Sequence, residues 1–168
     1  MTNTDEQADR LRAAIAAILA LQSRTMSAGP WELAELYGTE AEASWGPPEV
    51  LAHLEEMLPF WLGEMERILD GPAIAPVPFG RVASDTVRIG IIGRDRTVPL
   101  RELFARVGAD GHRLALRMTT LSEVDRARLG LHPRLGELTV SQLLERFVVT
   151  HLEEHVIQLT EVLAARGA

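Results

Sequence analysis

The sequence predicts an all-α protein: a four-helix bundle with a long crossover between its second and third helices. Two observations predict it. Apolar residues recur at helical spacing in four long stretches, and the middle two are separated by a Pro- and Gly-rich segment of about 25 residues, too long for an ordinary loop. A chain of 168 residues, 46% hydrophobic and 24% charged, suits a single domain over residues 1–168 with one core.

The first helix is expected in "DEQADRLRAAIAAILALQSRTM". Leu11, Ile15, Ile18, Leu19 and Gln22 follow helical spacing, and the acidic residues from Asp5 to Asp9 suit its positive end. "SAGPWELAELYGTEAEASWG" breaks it, with room for a short helical turn. The second helix opens at Pro47 and Pro48, which fit a first turn where a missing N–H costs nothing. Val50, His53, Met57, Phe60, Trp61 and Ile68 share one side, and Pro59 predicts a kink. Gly71-Pro72 stops the helix.

In the segment that follows, "VRIGII" has strand-like composition, but an isolated strand has no partner, so a crossover is the better reading. The third helix is expected around "TVPLRELFARVGADGHRLALRM", broken at "GADG". "TTLSEVDRARLGLHPRLGE" reads as a connection containing a capping-box-like "SEVD". The last helix, "LTVSQLLERFVVTHLEEHVIQLTEVLAA", is opened by Thr139 or Ser141. Val149, Leu152, Val156, Leu159 and Leu163 give this helix a second apolar strip, which predicts contact with another helix or with a dimer partner.

Composition narrows the chemistry. The net charge of -7 disfavours a nucleic-acid backbone binder. All 17 basic residues are arginine, which removes any Schiff-base or phosphate-loop lysine. Cysteine is absent, so a metal would be held by nitrogen and oxygen, and thiol chemistry would need a thiol substrate. No run reaches the roughly 18 apolar residues of a membrane span. The polar "MTNTDEQADR" is unlike a signal peptide, so a cytoplasmic protein is expected.

His151 and His155 stand four apart on the last helix, inside an apolar stripe with Leu144, Phe147, Val148, Gln158 and Val162. Such a pair can aim two ring nitrogens at one ion. Two hydrogen-bonded core histidines are the plainer alternative. Leu152 stands where a zincin motif would have its glutamate. His53 is the best-placed third ligand, because it lies on the second helix's apolar stripe. His112 and His132 read as surface or loop residues. Gln158, one turn beyond His155, is a candidate to bond a ligand's outer nitrogen, and Glu154 is either such an acceptor or solvated. Arg81, Arg88, Arg94 and Arg96 are either solvated or placed to hold a substrate carboxylate. The three tryptophans read as packing residues, and Tyr37 has no assigned role.

"SWGPPEVLAHLEEMLPFW" resembles the Trp-x-Pro-x-Glu-Val-Leu-x-His-Leu signature of DinB/YfiT-like proteins. "LHPRLGELTVSQLLERFVVTHLEEHVIQL" resembles their closing segment, and the likeness spans about Leu11 to Leu163. The resemblance implies a four-helix bundle with a divalent metal (zinc, nickel or iron) on three histidines, here His53, His151 and His155 by position. It also implies a homodimer. Characterised members include S-transferases for low-molecular-weight thiols such as bacillithiol and mycothiol, a mycothiol-dependent isomerase and a metal-binding domain, and many members have no known activity. The resemblance thus implies a small-molecule thiol substrate. A metal-dependent hydrolase and a non-catalytic, stress-associated metal- or ligand-binding protein are the alternatives.

Overall fold

The computed structural model describes residues 3–38 and 41–167, with side chains from Glu6 onward. The chain is mostly helical and carries one small sheet. Helix α1 covers Asn3–Ala20 and α2 covers Gln22–Ser27, so the first expected helix is divided at Leu21. Leu11, Ile15 and Ile18 are buried as their spacing predicts. The acid expected at Asp5 lies outside the described side chains. A 3-10 turn at Ala41–Ser44 supplies the helical turn anticipated there.

Helix α3 runs Pro47–Asp70 and continues through Pro59. Its entry is braced by Glu49, a fully buried carboxylate. Glu49 accepts the N–H groups of Gly46 and Ala34 and meets the Arg96 guanidinium. Those contacts compensate a charge that would otherwise be costly to bury.

The segment expected as a crossover is more structured than its composition suggests. Val77–Pro78 forms strand β1, and Thr86–Asp95 forms helix α4. "VRIGII" is therefore helical. Ile89 and Ile92 are buried three residues apart while Val87 is exposed, and the Asp85 side chain caps the Arg88 N–H at 2.9 Å.

Helix α5, Leu100–Met118, passes unbroken through "GADG". Gly111 is needed for contact, because a Cβ there would lie 2.3 Å from Ile15 Cδ1 on α1. The short α6, Glu123–Arg126, has the capping box read from "SEVD". Beyond it the expected connection is a hairpin. Strand β2 (Leu129–His132) pairs antiparallel with β3 (Gly136–Thr139) and parallel with β1. The fold is thus predominantly but not purely α-helical. His132, expected in a loop, is buried on β2.

The last expected helix has three parts: α7 (Val140–Leu144), a π-helical turn (Glu145–Val149) and α8 (Thr150–Ala165). Thr139 caps it through Gln142, as its sequence suggests. The π turn is held from α1. The Glu145 carboxylate accepts from Gln7 at 2.9 Å, Arg10 at 2.8 Å and Thr150 at 3.1 Å. Helix α1 packs on α5 and α8, and α3 packs on α4, α5 and α8. Of the second apolar strip, Val149, Leu152, Leu159 and Leu163 are fully buried against elements of the same chain, and Val156 is half-buried. No helix among the described residues is long and apolar enough to cross a membrane.

Candidate metal centre

The Pro-Pro start of α3 and its Glu49 brace set His53 in the second turn, with its ring 3% exposed. Helix α8 brings His151 and His155 to the same point from one turn apart. His53 Nε2 lies 2.9 Å from His151 Nε2, which lies 3.2 Å from His155 Nε2. Four-coordinate zinc spaces imidazole nitrogens by about 3.3 Å, so these separations fit one shared ion. Glu42, from the 3-10 turn, completes a group whose ligand atoms all lie within 4.8 Å of one another. This group of Glu42, His53, His151 and His155 could hold a metal ion.

The outer partners decide where the ring protons sit. Gln158 Nε2 donates to the carbonyls of Glu42 at 2.8 Å and Trp45 at 3.2 Å. Its amide oxygen therefore faces His155 Nδ1, at 2.9 Å, and accepts. That fixes the proton on Nδ1 and leaves Nε2 bare. At His151, Nδ1 lies 3.5 Å from the Glu154 carboxylate, an acceptor again. Two bare Nε2 lone pairs consequently face each other, an arrangement that favours a cation between them.

His53 differs. Its Nδ1 meets Arg88 Nη2 at 3.3 Å, and arginine only donates. Without a cation the His53 proton belongs on Nε2, pointing at His151. Coordination through Nε2 would move it to Nδ1 and require Arg88 to draw back. The donor set thus fits a divalent ion directly at two histidines and, with that shift, at the third.

Burial pushes all three imidazoles below the usual histidine range. For His53, the neighbouring His155 and Arg88 charges lower it further. His155 falls to about 4, through burial first and His151 second. At neutral pH the three rings are therefore neutral, which is the form that ligates metals.

A cavity of about 160 Å³ opens against this group. Glu42, His53 and His151 line it together with Arg81, Arg88, Trp61 and Phe147. Trp61 and Phe147 stack with centroids 4.4 Å apart. Arg81 is clamped by Glu56 on both nitrogens and lies 3.6 Å over the Phe60 ring. The sheet delivers it there: β1 pairs with β2, and the chain then turns at Gly80, whose φ is +85°. A Cβ on Gly80 would lie 2.4 Å from His132 Cδ2, so both backbone and space require glycine.

The sequence candidates therefore separate. His53, His151 and His155 converge, Gln158 bonds an outer nitrogen, and Glu154 is an exposed, longer-range acceptor. His112 is exposed in mid-α5, not at a helix start. Of the four arginines, Arg81 and Arg88 line the cavity. Arg94 is exposed on Asp95, and Arg96 binds Glu49 and the Ala34 carbonyl. Glu42 escaped sequence reading, because no spacing rule marks a lone glutamate in a turn. Trp45 is buried and meets the His53 ring edge-on at 5.8 Å, so it packs the site as well as bracing α3. No family model, curated protein or solved structure matches the chain.

Proposed function

We propose that the chain is a DinB/YfiT-like four-helix bundle, built from α1, α3, α5 and the α7–α8 segment, with residues 71–99 as its crossover. In this reading His53, His151 and His155 hold one divalent ion (zinc, nickel or iron). The protein transfers a low-molecular-weight thiol, of the bacillithiol or mycothiol type, to an electrophile. The observation that carries it is the pair of Nε2 atoms on His151 and His155, 3.2 Å apart with both outer nitrogens facing acceptors. A bound divalent metal would supply a Lewis acid that lowers a thiol's pKa toward neutrality.

The chain's own residues account for the rest. With no cysteine in the protein, the sulfur must arrive with the substrate. Arg81 and Arg88 give the cavity a positive wall suited to an anionic group. Trp61 and Phe147 close one side to water. Glu42, on the rim, is positioned to take the proton released when a thiol ionises. On the same family likeness the chain is proposed to form a homodimer, and on its polar first residues to work in the cytoplasm.

Elemental analysis of protein purified without added metal, joined to a thiol panel with a chromogenic electrophile, tests the proposal. The expected result is about one divalent ion per chain and a metal-dependent rate with at least one thiol. Bound metal with no metal-dependent rate for any thiol rules out the transferase. Glu42 favours one second reading, a hydrolase in which that carboxylate takes a proton from water. Turnover of an ester without thiol would select it.

A further inference from the structure

A second cavity, of about 500 Å³, adjoins the first and falls in the size range of small-molecule pockets. Leu36, Trp45 and Ile89 are among its apolar walls, and it shares Glu42, Ala83 and Arg88 with the metal chamber. The partition between the two is therefore one ion pair. Arg88, 5% exposed, binds Glu42 through Nη2 and the Ala83 carbonyl at 3.0 Å through Nη1. The chambers differ in chemistry. The metal side presents imidazoles, two arginines and a carboxylate. Among the described residues, the far side has no charged lining residue beyond the shared pair, and Tyr37 and Ser84 are its other polar side chains.

We infer that the second chamber holds the apolar body of the substrate whose reacting end sits at the histidines. The inference deepens the metal-centre reading and rests on it. A sugar-type thiol seated in the far chamber would find only Tyr37 and Ser84 as uncharged polar side chains, so most of its hydroxyls would lie against apolar walls such as Leu36, Trp45 and Ile89, at a desolvation cost. A hydrocarbon or aromatic body has no such cost and removes apolar surface from water. In a thiol transfer this assigns the apolar chamber to the electrophile, and the substrate class is an electrophile with a hydrophobic body.

Linear alkanethiols probe the geometry directly. The full chain is loaded with cobalt(II) and titrated with the series from ethanethiol to octanethiol, reading the thiolate-to-cobalt charge-transfer band. Affinity is expected to rise about three- to fourfold per methylene until the chamber is full. Ala43→Phe and Ser84→Phe, at exposed positions on the chamber's lining, are expected to flatten that rise at unchanged cobalt content. Equal affinity along the series, or a rise that both variants leave intact, overturns the assignment while the metal centre stands. Bound cobalt with no thiolate band for any member overturns the assignment and the thiol reading together.

Discussion

His132 and the His53–His151–His155 group are both buried, yet their nitrogens are in opposite situations. The His132 ring is 5% exposed, edge-on to Phe79 at 5.5 Å and stacked on Phe147 at 5.2 Å. Its Nδ1 accepts the backbone N–H groups of Arg134 and Leu135, both at 3.3 Å, and so closes the β2–β3 turn. Its Nε2 has no hydrogen bond of good geometry, although the Arg81 backbone partly offsets the lowering by burial. One imidazole there organises one hairpin. In the other group three inner nitrogens face each other. Burial alone does not make a histidine a ligand. What separates the two sites is that the outer nitrogens of His151 and His155 are supplied with acceptors, so that their inner lone pairs are left to converge, whereas His132 turns its Nδ1 lone pair to the backbone. Phe147 stacks on His132 and also on Trp61, so the two sites share a wall while their polar atoms do different work.

The sharpest test exchanges a histidine from each site. His155→Ala is expected to weaken metal binding by more than about 100-fold, beyond the range seen when only an outer hydrogen-bond partner is lost. His132→Ala is expected to keep the metal and to destabilise the fold by about 2–4 kcal/mol, through lost ring packing and two unpaired N–H groups. Elemental analysis and urea unfolding of both variants check this. Equal loss of metal from the two would erase the distinction.

The pH dependence of metal-free protein separates the sites more finely. His155 has its pKa lowered from 6.5 to about 4 in the folded state. The unfolded chain therefore binds the proton first as pH falls. Stability is fully present above about 6.5 and declines toward about 4, by about 3 kcal/mol from this residue. His132 is lowered mainly by burial, and no second imidazole adds to it. Unfolding measured at neutral and mildly acidic pH should show a flatter slope for His155→Gln than for His132→Gln. Slopes of equal steepness would mean that burial beside two other imidazoles lowers His155 no further than burial lowers His132.

What the sequence made legible follows the reach of the forces involved. The helices and the three converging histidines were readable because a helix repeats its burial every three to four residues, and His53, His151 and His155 lie on such repeats. The hairpin was not. Leu129–His132 and Gly136–Thr139 are short, and β2 is completed by Val77–Pro78 from a distant part of the chain. His132 goes with it, because a lone histidine in a turn-rich stretch carries no burial periodicity until β2 is paired. "GADG" misled because the close approach of Gly111 to Ile15 is a tertiary fact that resembles a local break. Glu42 was invisible for a related reason. It is placed by Arg88 and by Gln158, which grips its carbonyl from more than a hundred residues away.

Around the three-histidine group itself, Gln158 and Glu154 repeat the comparison on a smaller scale. Gln158 is locked by two carbonyl acceptors and can offer His155 only its oxygen. Gln158→Ala removes the acceptor and frees the ring to turn or change tautomer, and is expected to cost about 10–100-fold in metal affinity. Glu154 is 67% exposed and 3.5 Å from His151 Nδ1, where water can replace it. Glu154→Gln is expected to change affinity by no more than about fivefold, as for an exposed ion pair. Competition with a chromophoric chelator reads both. If the Glu154 variant lost as much as the Gln158 variant, the orientation of His155 by a fixed amide would not be what holds the site.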